Sequence, residues 1–142
     1  VLTLGSHTGT HIDAPYHFLA KGKKIDELPV ERFVGEGILV DVSGKTDRAL
    51  IRPDDLGPYQ KEIAYGNFVI FKTGRDKFFG NSRYYLHPYL SPEAARHLVK
   101  LGVTLIGIDA LNIDPTYQEV TDLEMPANDL PDPVNSVVPA SR

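Results

Sequence analysis

The sequence predicts an α/β domain with a mixed sheet and flanking helices. Three observations predict it. Three short apolar runs rich in β-branched residues are each followed by turn residues; one amphipathic helix with signals at both ends lies between the second and third runs; and 142 residues suit one hydrophobic core rather than two.

Taken in order, Val1 to Leu4 and the Thr-rich stretch to Ile12 combine β-branched residues with Gly5 and Gly9, which predicts a strand that bends and a histidine-rich motif on extended chain. Gly37 to Val42 is an apolar run ended by Ser43-Gly44, a buried strand leading into a turn. Pro53-Asp54-Asp55-Leu56 opens a short helix, and Asn67 to Lys72, ended by Thr73-Gly74, is a second strand. The clearest helix has Ser91 as N-cap, Pro92 in its first position, Glu93 near its positive end and Gly102 at its stop. Its apolar face is Ala94, Ala95, Leu98, Val99 and Leu101, with Arg96, His97 and Lys100 toward water. Val103 to Asp109 is the third strand. Pro126, Pro131, Pro133 and Pro139 prevent regular helix or central strand near the end, so residues 1–124 read as the domain and 125–142 as an extended arm. An arm that crosses to a neighbouring copy would make the protein a homo-oligomer, a dimer or higher.

Composition excludes several classes of function. Apolar residues are 42% and charged residues 24% of the chain, the profile of a folded domain. A net charge of −4 offers no basic field for nucleic acid or acidic membranes, and the cluster Lys21-Gly22-Lys23-Lys24 reads as a solvated loop. No apolar run reaches the length of a membrane span and the first residues lack a secretion-signal pattern, which predicts a soluble, cytoplasmic protein. With no cysteine, any metal must be held by nitrogen and oxygen.

Residues 7 to 17, His-Thr-Gly-Thr-His-Ile-Asp-Ala-Pro-Tyr-His, carry that chemistry. His7, His11 and Asp13 offer two imidazoles and a carboxylate, a set that suits zinc, manganese or iron. A straight strand would hold His7 and His11 about 13 Å apart, too far for one ion, so the backbone must curl. Gly9, midway between them, permits the curl and removes a side chain that would otherwise point at the ion. Pro15 stiffens the exit, so that His17 sits beside the metal without binding it. A bound ion lowers the pKa of a water to about 7 and polarises a carbonyl, while a neutral histidine nearby takes a proton and passes it to a departing nitrogen.

Ser6 to Phe18 resembles the signature of the metal-dependent cyclase-like hydrolase family, which includes bacterial kynurenine formamidase and isatin hydrolase. Gly37 to Val42, Phe68 to Arg75, Leu90 to Leu101 and Gly107-Ile108-Asp109-Ala110 are similar to the family in the same order. The resemblance implies a swivelling β/β/α fold, hydrolysis of a formamide or cyclic amide, a divalent Zn or Mn ion on His7, His11 and Asp13, and His17 as proton shuttle. Family members continue into a histidine-bearing helix and then a glutamate that complete the metal site. Here no histidine follows His97, and Glu119 and Glu124 do not resemble that segment, the pattern of a shortened or divergent member. A noncatalytic relative that binds metal or small molecules is the alternative.

Other candidates favour structural roles. Thr73-Gly74-Arg75 can present N–H groups or a guanidinium to a substrate oxygen, though a tight turn is favoured. Asp109 and Asp114 can orient a ligand histidine, with turn and cap roles favoured. His87, before Pro88, reads as structural or solvent-facing. Tyr84-Tyr85 and Phe78-Phe79 can form a lid over an apolar substrate, with core or subunit contact the commoner role for such pairs.

Overall fold

The computed structural model describes residues 1–116, so the arm expected at 125–142 and the end of the expected domain lie outside the described residues. The strands are β1 (Gly37–Asp41), β2 (Leu50–Ile51), β3 (Phe68–Lys72), β4 (Tyr89–Leu90) and β5 (Leu105–Ile108); the helices are α1 (Pro53–Leu56) and α2 (Pro92–Lys100). Strands β1, β3 and β5 form one sheet in that order, and β2 and β4 a small second one; every pairing among the described residues is parallel. Parallel neighbours need crossover connections, and α1 and α2 lie in those crossovers.

Register decides which side chains meet the helices. Ile38, Val69 and Ile106 stand in one row and Val40, Phe71 and Ile108 in the next. Both rows turn to the core, where Val40, Val69 and Phe71 are fully buried with Ile51, Leu56 and Leu98. Because alternate residues point to opposite faces, Leu39, Ile70 and Gly107 form a row on the other face, and Leu39 is 55% exposed.

Helix α2 forms where its punctuation predicts. The Ser91 hydroxyl accepts from the Ala94 N–H at 3.1 Å, Pro92 occupies the first turn, and Gly102 takes a left-handed φ of +78° just past the end. Ala94, Ala95 and Leu98 are buried, whereas Val99, expected on the same face, is 36% exposed at its rim.

The expected strand between Val1 and Ile12 is not formed: this stretch is turn and irregular chain. A strand needs a neighbour for its backbone N–H and C=O groups, and no strand among the described residues pairs with it. Gly9 also leaves extended geometry, at φ +69°. No residue before Val40 is buried.

Candidate metal centre

The curl required by the spacing is present. His7 Nδ1 lies 3.0 Å from His11 Nε2 and 3.0 Å from Asp13 Oδ1, and His11 Nε2 lies 3.5 Å from the same oxygen. Three donor atoms thus stand in a short triangle. Ligands held at about 2.0–2.1 Å by a tetrahedral ion are about 3.3–3.4 Å apart, so these nitrogen and oxygen donors fit a zinc-sized ion. The side chains remain open, with His7 47%, His11 31% and Asp13 38% exposed.

Backbone geometry presets one of the expected ligands. The Gly9 carbonyl can only accept, so His11 Nδ1, 2.8 Å away, carries the proton and donates to it. In the neutral ring that leaves the lone pair on Nε2, the atom facing His7 and Asp13. Gly9 takes a left-handed φ of +69°, which supplies the curl, and a Cβ there would meet no protein atom within 4 Å.

His17 ends a short 3-10 turn, Pro15–His17, with its N–H donating to Ala14 O at 2.9 Å. Its ring centroid lies 4.3 Å from that of His7 and 4.3 Å from that of Phe18. It offers a ring nitrogen that, with donor atoms of His7 and Asp13, lies in a group spanning no more than 4.8 Å. The motif therefore brings all four expected residues together.

The basic loop does more than face water. Tyr16 N–H donates to Lys23 O at 3.0 Å, Leu19 N–H to Pro15 O at 2.9 Å, and Gly22 N–H to Leu19 O at 2.7 Å, so residues 19–23 fold back over the turn that carries His17. Lys24 also places its ammonium 5.4 Å from the Tyr16 ring centroid. The sequence signalled this only through a glycine among lysines, which composition assigns to a solvated surface.

The remaining candidates hold the scaffold. Asp109 accepts from Thr73 N–H at 2.7 Å, Thr73 O–H at 2.6 Å and Gly74 N–H at 2.8 Å, tying the end of β5 to the end of β3. Thr73-Gly74 is thus a turn, as favoured. Arg75 is buried, paired with Asp47 at 2.6 Å and donating to Lys45 O at 3.1 Å, so its guanidinium serves the loop after β1. Burial works to raise the Asp47 carboxyl, but hydrogen bonds from Arg83 and Arg75 outweigh it and hold the pKa below the ordinary range. His87 is structural and not solvent-facing: it is 1% exposed, its Nδ1–H donates to Pro88 O at 2.9 Å, and its Nε2 accepts from Thr116 O–H at 3.0 Å. Burial pushes its pKa down. His97 is half-buried in the last turn of α2. Phe78 is flanked by Arg75, Lys77 and Arg83, while Phe79 is 81% exposed and meets Tyr84 edge-on at 5.6 Å.

Comparison with known proteins identifies the family and the fold. Residues 1–115 match the family described as "Putative cyclase". The chain is 35% identical to kynurenine formamidase of Salinibacter ruber over 86% of its own length and 55% of that protein. It is 37% identical to kynurenine formamidase of Bacillus cytotoxicus over 80% of its length and 52% of that protein. Among solved structures, a potential metal-dependent hydrolase with cyclase activity superposes with a TM-score of 0.68 at 34% identity, over 82% of this chain and 55% of that one. An isatin hydrolase bound to the product analogue thioisatinate superposes with a TM-score of 0.71 at 25% identity, over 80% and 50%. The chain spans about half the length of the curated relatives it matches. By the family match along most of its length and the fold it shares with these hydrolases, the chain belongs to the cyclase family.

Proposed function

We propose that this protein is a metal-dependent hydrolase of a small formamide or cyclic amide, with His7, His11 and Asp13 as ligands of a Zn or Mn ion and His17 as the proton-transfer group. The observation that carries the reading is the triangle of donor atoms, 3.0, 3.0 and 3.5 Å on its sides, beside the His17 ring. Kynurenine formamidases and an isatin hydrolase among the similar proteins supply the substrate class.

When bound, a divalent ion supplies Lewis acidity, which favours ionisation of water near neutral pH and polarises a carbonyl. The chain's own residues do the rest. His11, fixed by its hydrogen bond to Gly9 O, presents Nε2; His7 presents Nδ1, which requires its proton to move to Nε2; Asp13 supplies the negative charge. His17 accepts a proton from the attacking water and delivers it to the nitrogen as the C–N bond breaks, giving a carboxylic acid and an amine, as two molecules from a formamide and as one ring-opened molecule from a cyclic amide. His11 is taken as the third ligand because its Nε2 stands 3.0 Å from His7 Nδ1 and 3.5 Å from Asp13 Oδ1; His17, which also groups with His7 and Asp13 within 4.8 Å, is assigned the proton-transfer role on the family resemblance.

Metal analysis of protein prepared without chelator, followed by a formamide and cyclic-amide screen, tests the proposal. About one equivalent of metal per chain is expected, lost together with hydrolysis in His11→Ala. Hydrolysis unchanged in His11→Ala would overturn it. Tight binding with no hydrolysis at saturating Mn²⁺ or Zn²⁺ would instead select a relative that binds metal or ligand without turnover.

A further inference from the structure

We infer that Gly22 is a positioning residue for His17, setting where its ring stands through backbone contact alone; this rests on the reading of His17 as the proton-transfer group. A Cβ at Gly22 would stand 2.6 Å from Pro15 C, 2.6 Å from Pro15 O and 2.8 Å from Tyr16 N. All three are atoms of the Pro15–Tyr16 peptide, one residue before His17. Side-chain ends can swing aside at small cost, but a planar peptide is rigid and moves only as a unit. The peptide is also held by hydrogen bonds at both its ends, because Tyr16 N–H donates to Lys23 O, next to Gly22, and Pro15 O accepts from Leu19 N–H.

The requirement is one of space. Gly22 is not among the residues with left-handed φ, so its backbone conformation is open to any amino acid, and only the approach of the Pro15–Tyr16 peptide excludes a side chain. Glycine here lets residues 19–23 close directly onto the turn, fixing the direction in which the chain leaves Asp13 and delivers His17 to the His7 ring. Adding a methyl group forces the peptide and the loop apart and carries the His17 ring with it. His7, His11 and Asp13 precede the contact and keep their own hydrogen bonds.

The experiment compares Gly22→Ala with Gly44→Ala, a glycine of ordinary φ whose Cβ would meet nothing within 4 Å, and with His17→Gln. Three quantities are read: the ring-to-ring nuclear Overhauser effect between His7 and His17, Zn²⁺ affinity, and kcat on a formamide substrate. Gly22→Ala is expected to lose the His7–His17 effect and to lower kcat by about 100-fold or more, as His17→Gln does, with Zn²⁺ affinity within about threefold. Gly44→Ala should match the parent in all three. The inference is overturned if Gly22→Ala keeps the His7–His17 effect, if it keeps kcat while His17→Gln loses it, or if Gly44→Ala loses the effect too. Unfolding of the core by Gly22→Ala would also overturn it, since Gly22 lies before the first buried residue, Val40. Absent turnover in the parent, or full kcat in His17→Gln, refutes the proton-transfer role instead, and the His7–His17 effect in Gly22→Ala then decides the positioning claim on its own.

Discussion

Alanine at Gly9 separates the backbone contribution to metal binding from every other. Gly9 has a φ of +69° and a Cβ there meets nothing within 4 Å, so the substitution adds a conformational penalty without a clash. For an L-residue in the left-handed region that penalty is about 1–2 kcal/mol. Residues 1–13 are all exposed, so packing does little to hold the strained turn in place, and the penalty falls on the population of the curled state that brings His7 to His11. At about 1.4 kcal/mol per tenfold change, Zn²⁺ affinity should fall by about 5- to 30-fold. The thermal midpoint of the core should stay where it is. Competition titration against a chromophoric chelator measures the affinity, and Gly9→Asn, which tolerates left-handed φ better, should fall between the two. Affinity within about twofold of the parent would refute the argument, and a loss beyond about 100-fold would show that Gly9 contributes a contact rather than a backbone angle.

Two further outcomes follow from the scaffold. Asp109→Asn replaces one of two accepting oxygens by an amide that faces an N–H, and denaturant unfolding should show a loss of about 1.5–3 kcal/mol; a change below about 0.5 kcal/mol would mean that β3 and β5 hold their ends without it. His87 is buried with its pKa below the ordinary 6.5, so the unfolded chain binds its proton first as pH falls. The stability from keeping it neutral is full above 6.5 and is lost as pH falls toward the folded-state pKa, with a slope of up to about 1.4 kcal/mol per pH unit. Replacing His87 with a nontitrating residue should flatten that part of the curve, and an unchanged slope would count against it.

What could be read in advance divides along physical lines. β1, β3, β5 and α2 were legible because each carries its own signal: a β-branched run ended by a turn, or a helix whose Ser91, Pro92 and Gly102 act locally. β2 and β4 are two residues each, Leu50–Ile51 and Tyr89–Leu90, and exist only because they pair; nothing local marks them. The N-terminal strand failed for the converse reason, since β-branched composition does not supply a partner. At the site, spacing alone demanded the curl between His7 and His11, and the structure has it. The loop at Gly22 was hidden because its role depends on a through-space approach to Pro15, and composition registers only its lysines.

Residues 1–13 are all exposed, so the donor triangle adds little to the packing that stabilises the sheet. Denaturing the core and disordering the motif are different events, and a single melting temperature reports only the first. A substitution in the sheet can therefore leave ligand capture intact, and one in the motif can abolish capture in a molecule that still melts normally.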